Sequence, residues 1–301
     1  MVIMLDIGKL LSPLCVFVCV LLTTCARHVR RLHRNHKPLR STMFSGSLIR
    51  SGNNAKTIKG DGIYETAIMY LAPANMARAN VTMCSMAVLA ACIYPCLNVA
   101  GRGKFSNVQQ ARVNKTLRYL DGREQFLADL VADLLAFLRY CIRNGVIPAV
   151  RLNGTSDIQW EVGHPVTRNG VEYASIFEAF PEIQFYDYTK VSKRVMRPLP
   201  KNYSLTLSYS ASNSRYSDMI INAALASGAN VAVVYRTKAM RDALLDSGFS
   251  VASSNGATLS RSVIDGDKTD MRFLDPTGVI VGLYAKGKRG KTDTSGFVVD
   301  A

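Results

Sequence analysis

The stretch 123–152 constrains this chain more than any other. Phe126, Leu127, Leu130, Val131, Leu134, Leu135, Leu138, Cys141 and Ile142 recur at spacings of three and four, which predicts a helix over 123–143 with one apolar face. Asn144-Gly145 ends it, since glycine readily takes the left-handed backbone that closes a helix. The apolar run 146–152 follows at once and reads as a strand. A long amphipathic helix passing into a strand through so short a link is the building unit of a parallel sheet.

The same grammar recurs on both sides. Upstream, 63–71 is β-branched and aromatic and predicts a first strand, and 106–120 predicts a helix capped by Ser106 or Asn107. Downstream, 183–188 and 203–208 are strand candidates. Ser217 is placed to cap a helix that Gly228 terminates ahead of strand 230–235. Thr237 is placed to cap the next, which Gly248 closes ahead of 249–252, and 278–283 predicts the last strand. Helices alternating with strands over short links imply right-handed parallel crossovers. The expected fold is therefore α/β, a single domain over 43–301 that forms a partial or open (β/α) barrel with parallel strands, preferred to a doubly wound sheet.

Composition removes other classes. The 301 residues are 48% hydrophobic and 20% charged, unlike disordered or low-complexity chains, and seven cysteines are too sparse for a disulfide-stapled scaffold. Residues 10–26 form an uncharged run at the short edge of what crosses a bilayer, weakened by Ser12, Pro13, Thr23 and Thr24. The basic cluster from Arg27 to Arg40 follows this run, unlike a signal peptide, and would leave the body in the cytoplasm. Residues 1–42 are thus expected to be a weak membrane anchor, touching the bilayer through 10–26, or an extension dispensable for a fold that begins at Met43.

The formal charge is +15, from 37 Lys and Arg against 22 Asp and Glu. Such a surface serves solubility or attracts polyanions. The tail Lys286-Gly287-Lys288-Arg289-Gly290-Lys291 reads as a flexible, solvated end or as a nucleic-acid contact.

Cys84, Cys92 and Cys96 follow the first strand with the spacing C-x7-C-x3-C. Thiolates are soft ligands that select iron–sulfur clusters, zinc or copper(I). Structural zinc wants four ligands, yet Cys141 belongs to the helix face and His164 is the one histidine beyond residue 36. A closed zinc site therefore needs a distant donor, whereas three thiolates can hold a [4Fe-4S] cluster whose fourth iron is open to a small molecule. The plain alternative is buried free thiols acting as small hydrophobes.

In a barrel, chemistry is carried by residues at the carboxyl ends of the strands. Arg151 closes one strand, followed by Asn153, Thr155 and Asp157; Tyr186, Asp187 and Lys190 close another, and Ser208 a third. Asp157, Asp187 and Lys190 are the catalytic candidates. Arg151, Asn153, Thr155, Tyr186 and Ser208 are the ligand-binding ones, suited by charge to an anionic or nucleotide-like molecule. Asp265, Asp267 and Asp270 also cluster, but without the spacing and terminal glutamate of an EF-hand loop.

Ordered motifs then point to a family. S-G-N-N-A-K near the start of the body, the cysteine cluster, R-L-N-G-T-S-D-I-Q-W, F-Y-D-Y-T-K and the closing D-M-R-F-L-D-P-T-G-V-I-V-G-L-Y-A-K-G resemble the phage and prophage family called gene product 88. The resemblance covers about residues 45–299 and leaves 1–42 outside it. It implies a viral or prophage context and a shared site, to which Asn54 and Lys56 of the first motif are assigned as ligand-binding residues. More distantly, the cysteine triplet on a partial barrel resembles radical S-adenosylmethionine enzymes, whose C-x3-C-x2-C spacing this chain does not keep.

Two functions are therefore expected. One is an iron–sulfur enzyme with Cys84, Cys92 and Cys96 at the barrel mouth. The other is a nucleic-acid-binding phage protein whose cysteines are structural or zinc-bound. A membrane-tethered accessory protein is a third, and no stable protein partner is evident.

Overall fold

The computed structural model describes residues 43–52 and 61–300. The predicted anchor 10–26 and the candidates Asn54 and Lys56 lie outside the described residues.

The sheet begins with a short hairpin, β1 (Ile49–Ser51) antiparallel to β2 (Tyr64–Met69). A long loop carrying three cysteines leads to α1 (Ser106–Asp121), α2 (Arg123–Asn144) and β3 (Ile147–Arg151). The small hairpin β4 (Val166–Arg168) and β5 (Val171–Tyr173) and the single turn α3 (Ile176–Ala179) precede β6 (Gln184–Thr189) and β7 (Tyr203–Ser208). Then come α4 (Ser214–Ser227), β8 (Val231–Tyr235), α5 (Lys238–Ser247) and a second hairpin, β9 (Phe249–Ala252) with β10 (Thr258–Arg261). β11 (Val263–Asp265), β12 (Ile280–Tyr284), α6 (Gly287–Lys291) and β13 (Val298–Val299) follow.

The strands order as β1-β2-β3-β6-β7-β8-β12-β11, with β13 added to β8, and every pairing in this sheet except β1 with β2 is parallel. The predicted parallel α/β sheet is thus present. The expected partial or open barrel is not borne out beyond this sheet, which does not close: β1 and β11 end the path without pairing to each other. From β2 to β8 the order advances in one direction, without the reversal at the centre of a doubly wound sheet.

Side-chain periodicity explains the layers. Helix α2 buries Phe126, Leu130, Leu134, Phe137 and Cys141 along one stripe, packed with Met69, Val150, Leu152 and Phe185 of the sheet. Truncating one such side chain to alanine removes about 2–5 kcal/mol. Gly145, at φ +64°, closes α2 as predicted. Thr237 caps α5 by accepting from the Met240 amide at 3.2 Å. The predicted cap Ser217 instead lies inside α4, where its hydroxyl bonds to the Ser214 carbonyl. Asn213 caps that helix, because the buried stripe starts earlier, at Tyr216. The tail 286–291, expected to be a flexible end, forms α6 and buries Gly290.

One irregularity shapes the site. β7 and β8 pair only at Leu207–Val231 and Ser208–Ala232. Beyond that point β13 takes the place of β7 beside β8, pairing Val298 with Val234 and Val299 with Tyr235. The carboxyl half of β8 therefore has β13, not β7, as its neighbour on that side.

Candidate functional site

Strand alternation sends Arg151, Tyr188, Ser208, Ala232, Val234 and Leu283 toward one face at the carboxyl ends of β3, β6, β7, β8 and β12. They enclose a cavity of about 320 Å³, completed by the cysteine loop, the loop after β3, Phe297 and the segment from Tyr284 to Lys286. A wider groove of about 460 Å³, lined in part by Glu161, Arg194 and Arg197, contains none of the candidate residues.

Cys84, Cys92 and Cys96 all line the cavity. Burial pushes the Cys84 thiol up to about 12, with Asp157 and the other two cysteines adding to the effect. Burial also pushes Cys96 up. Against this, the amides of Ala74 and Asn98 donate to the sulfurs of Cys84 and Cys96, each at 3.5 Å, which favours the thiolate.

The cations of the wall are individually anchored. Lys190 Nζ lies 3.0 Å from Ser208 Oγ and 5.1 Å from the centre of the Phe297 ring. The Lys190 amide donates to Asp157 Oδ2, and Asp157 Oδ1 in turn meets Arg194 Nη1 at 2.9 Å. Arg151 Nη1 sits 3.2 Å from Asp270 Oδ2, with its guanidinium 4.8 Å from the Tyr188 ring centre. Lys286 Nζ lies 3.0 Å from Asp267 Oδ1.

The loop after β3 folds around Asn153. Its carboxamide oxygen accepts from Ser156 Oγ, the Ile158 amide and Trp160 Nε1, while Thr155 Oγ1 reaches back to the Leu71 carbonyl. Gly154 lets this loop approach β2, since a Cβ there would lie 2.6 Å from the Met69 carbonyl oxygen.

Of the sequence candidates, Cys84, Cys92, Cys96, Arg151, Asn153, Thr155, Asp157, Lys190 and Ser208 are brought together. Asp187 and Tyr186 are buried and outside the lining. Asp187 accepts from the Asn153 amide at 2.8 Å, Asn153 Nδ2 at 3.0 Å and Tyr203 at 3.0 Å, and burial raises its carboxyl to about 7. Tyr186 donates to Asp270 at 3.4 Å. Sequence reasoning missed Asp267, Asp270 and Lys286 as wall residues. Lys286 was within reach of the strand-exit rule, since it follows β12 by two residues.

A closed zinc site would need His164 as its distant donor. That ring has Tyr119 Oη at 2.7 Å and the Val162 carbonyl at 2.6 Å on its two nitrogens, and burial lowers its pKa. Asp265 and Asp267 are instead ion-paired with Arg241 and Lys286. Among the described residues, no three His, Cys, Asp or Glu side chains are gathered closely enough to hold a single metal ion.

A family model described as Gene product 88 matches residues 47–301. The chain belongs to this family. The match begins after residues 1–42 and spans the sheet and every wall of the cavity, which bears out the phage gene product family expected from the motifs. No curated protein and no solved structure matches the chain, and the resemblance to radical S-adenosylmethionine enzymes gains no support. Among the described residues no helix is long and apolar enough to cross a membrane.

Proposed function

We propose that this Gene product 88 protein is an enzyme whose cavity holds an iron–sulfur cluster on Cys84, Cys92 and Cys96 and an anionic substrate beside Lys190. One observation carries the reading. In the cysteine loop Val88, Ile93 and Tyr94 are 80, 47 and 53% exposed, while the half-buried Cys84, Cys92 and Cys96 line the cavity. Burying valine, isoleucine or leucine removes more apolar surface from water than burying cysteine. A loop serving only to fill space would therefore turn those residues in. This one buries Met83, Ala87 and Ala90, leaves the three larger residues outside and gives its sulfurs to the cavity.

Local backbone geometry agrees. Ala91, beside Cys92, stands at φ +50°, a conformation costing a non-glycine residue about 1 kcal/mol or more. The amide donors on Cys84 and Cys96 favour the thiolate, the form that ligates metal. A single zinc ion draws its ligands to about 2.3 Å and crowds the sulfurs together. A cluster gives each cysteine its own iron, which fits thiols that share a cavity without surrounding one point. When bound, a three-cysteine cluster supplies one-electron chemistry at its open iron.

The chain's own residues supply the rest. Lys190, held by Ser208, offers a positive charge to an anionic group. Asp157, bound to Arg194, fixes the Lys190 backbone, and Arg151 braces the wall through Asp270.

Anaerobic purification and reconstitution with ferrous iron and sulfide test this reading. The expected product is brown and carries about four irons per chain. Colour and iron are lost when Cys84, Cys92 and Cys96 become serine, and are kept when Cys15, Cys19 and Cys25 do. Folded, colourless, iron-free protein overturns the reading.

A further inference from the structure

Between Glu65 and Asp121 the chain has no acidic residue, yet it carries Arg78, Arg102, Lys104, Arg112, Lys115 and Arg118. The fold lays part of this stretch against α6, a second segment without carboxylates. A Cβ on Gly287 would lie 3.3 Å from Ala100 Cβ, and the Arg289 guanidinium stands 5.3 Å from the Tyr94 ring centre. Arg102, Lys104, Lys288 and Lys291 are thereby gathered, exposed, on one rim. Some exposed cations elsewhere are paired, as Arg118 is with Asp129 and Lys238 with Asp242, and others stand singly, as Arg139 and Lys201 do among the described residues. Among the described residues these four form no ion pair.

The rim also bears aromatic rings. Tyr94 and Phe105 are 53 and 51% exposed. Unpaired cations beside exposed rings are the two features that hold a single strand, since cations neutralise phosphates while rings stack on bases. A duplex keeps its bases stacked inside and offers the rings nothing. The same two segments supply Pro95, Cys96, Leu97, Lys286 and Gly290 to the cavity wall, so a strand on the rim lies at the mouth.

We infer that this rim, built from the 94–105 segment and α6, is a docking surface for single-stranded nucleic acid. It does so whether or not the thiols carry iron, so this inference and the cluster reading fail separately.

Fluorescence anisotropy of labelled oligothymidylate and oligouridylate with the full chain tests it, against a variant carrying Arg102→Ser, Lys104→Ser, Lys288→Ser and Lys291→Ser. A control variant removes equal charge through Arg139→Ser, Arg143→Ser, Lys201→Ser and Arg215→Ser, all of them exposed residues off the rim. Four phosphate contacts predict that log affinity falls with log salt with a slope of about −3. The rim variant should flatten that slope and bind at least about tenfold more weakly at about 50 mM salt, with the control within about twofold of the parent. Replacing Tyr94 and Phe105 by serine should weaken binding about fivefold or more while keeping the slope. Three results overturn the inference: no binding at low salt, duplex bound as tightly as single strand, or a rim variant that binds no worse than the control.

Discussion

Arg151 and Asp270 meet at 3.2 Å across 119 residues of sequence, and this contact ties the segment after β11 to the end of β3. Tyr186 donates to the same Asp270 oxygen, so one carboxylate collects two elements of the sheet. Both partners are nearly buried, and removing one leaves the other charge uncompensated. Asp270→Asn should cost about 3–5 kcal/mol in urea unfolding, and Arg151→Met at least as much because Asp187 also loses a cation 3.9 Å away. Changing Arg151 to Met and Asp270 to Leu together should recover much of the loss. Equal costs for the double and the single variants would refute the pairing.

Asp187 predicts the pH dependence. Its carboxyl ordinarily titrates near 3.8 and burial raises it to about 7 in the fold, so between these values the folded chain holds a proton that the unfolded chain has released. Stability contributed by this group is complete below the lower value and is lost as pH rises through the window, by at most about 1.4 kcal/mol per pH unit. Urea midpoints should fall from pH 5 to 7 more steeply in the parent than in Asp187→Asn (a window set by the raised value). Parallel profiles would show that the group does not titrate there.

Cys84 in the metal-free fold should resist alkylation. Raising its thiol from 9.0 to about 12 lowers the thiolate fraction about a thousandfold, and the thiolate is the nucleophile. Mass spectrometry of iodoacetamide-treated protein should find Cys84 modified slowly until urea is added. Rapid labelling in the native state would count against an enclosed thiol.

Gly154→Ala tests how closely the loop after β3 rides on β2. The added methyl would sit 2.6 Å from the Met69 carbonyl oxygen and 2.7 Å from the Tyr70 ring. Backbone cannot yield as a flexible side chain would, so a loss of about 1–3 kcal/mol is expected. An unchanged thermal midpoint would mean the loop is free to move.

Much of the scaffold was legible because its strands and helices carry strong periods. The stripe on α2 and the glycine behind it place β3 within a residue or two, and Tyr203–Ser208 is read at its true bounds. What escaped was short or distant. β11 and β13 have three and two residues, too few to show alternation, and β13 pairs with a strand far back along the chain. Asp187 and Tyr186 were placed together at the mouth although neighbouring residues of a strand face opposite ways. The Asn153 side chain is spent on shaping its own loop, a role that no spacing rule announces.

The gap that β7 leaves beside β8 has a consequence for how the chamber comes into being. Val298 fills it beside Val234, and Phe297 and Val298 line the same cavity as thiols that are synthesised long before. On the ribosome, then, Cys84, Cys92 and Cys96 emerge well before the strand that completes their cavity.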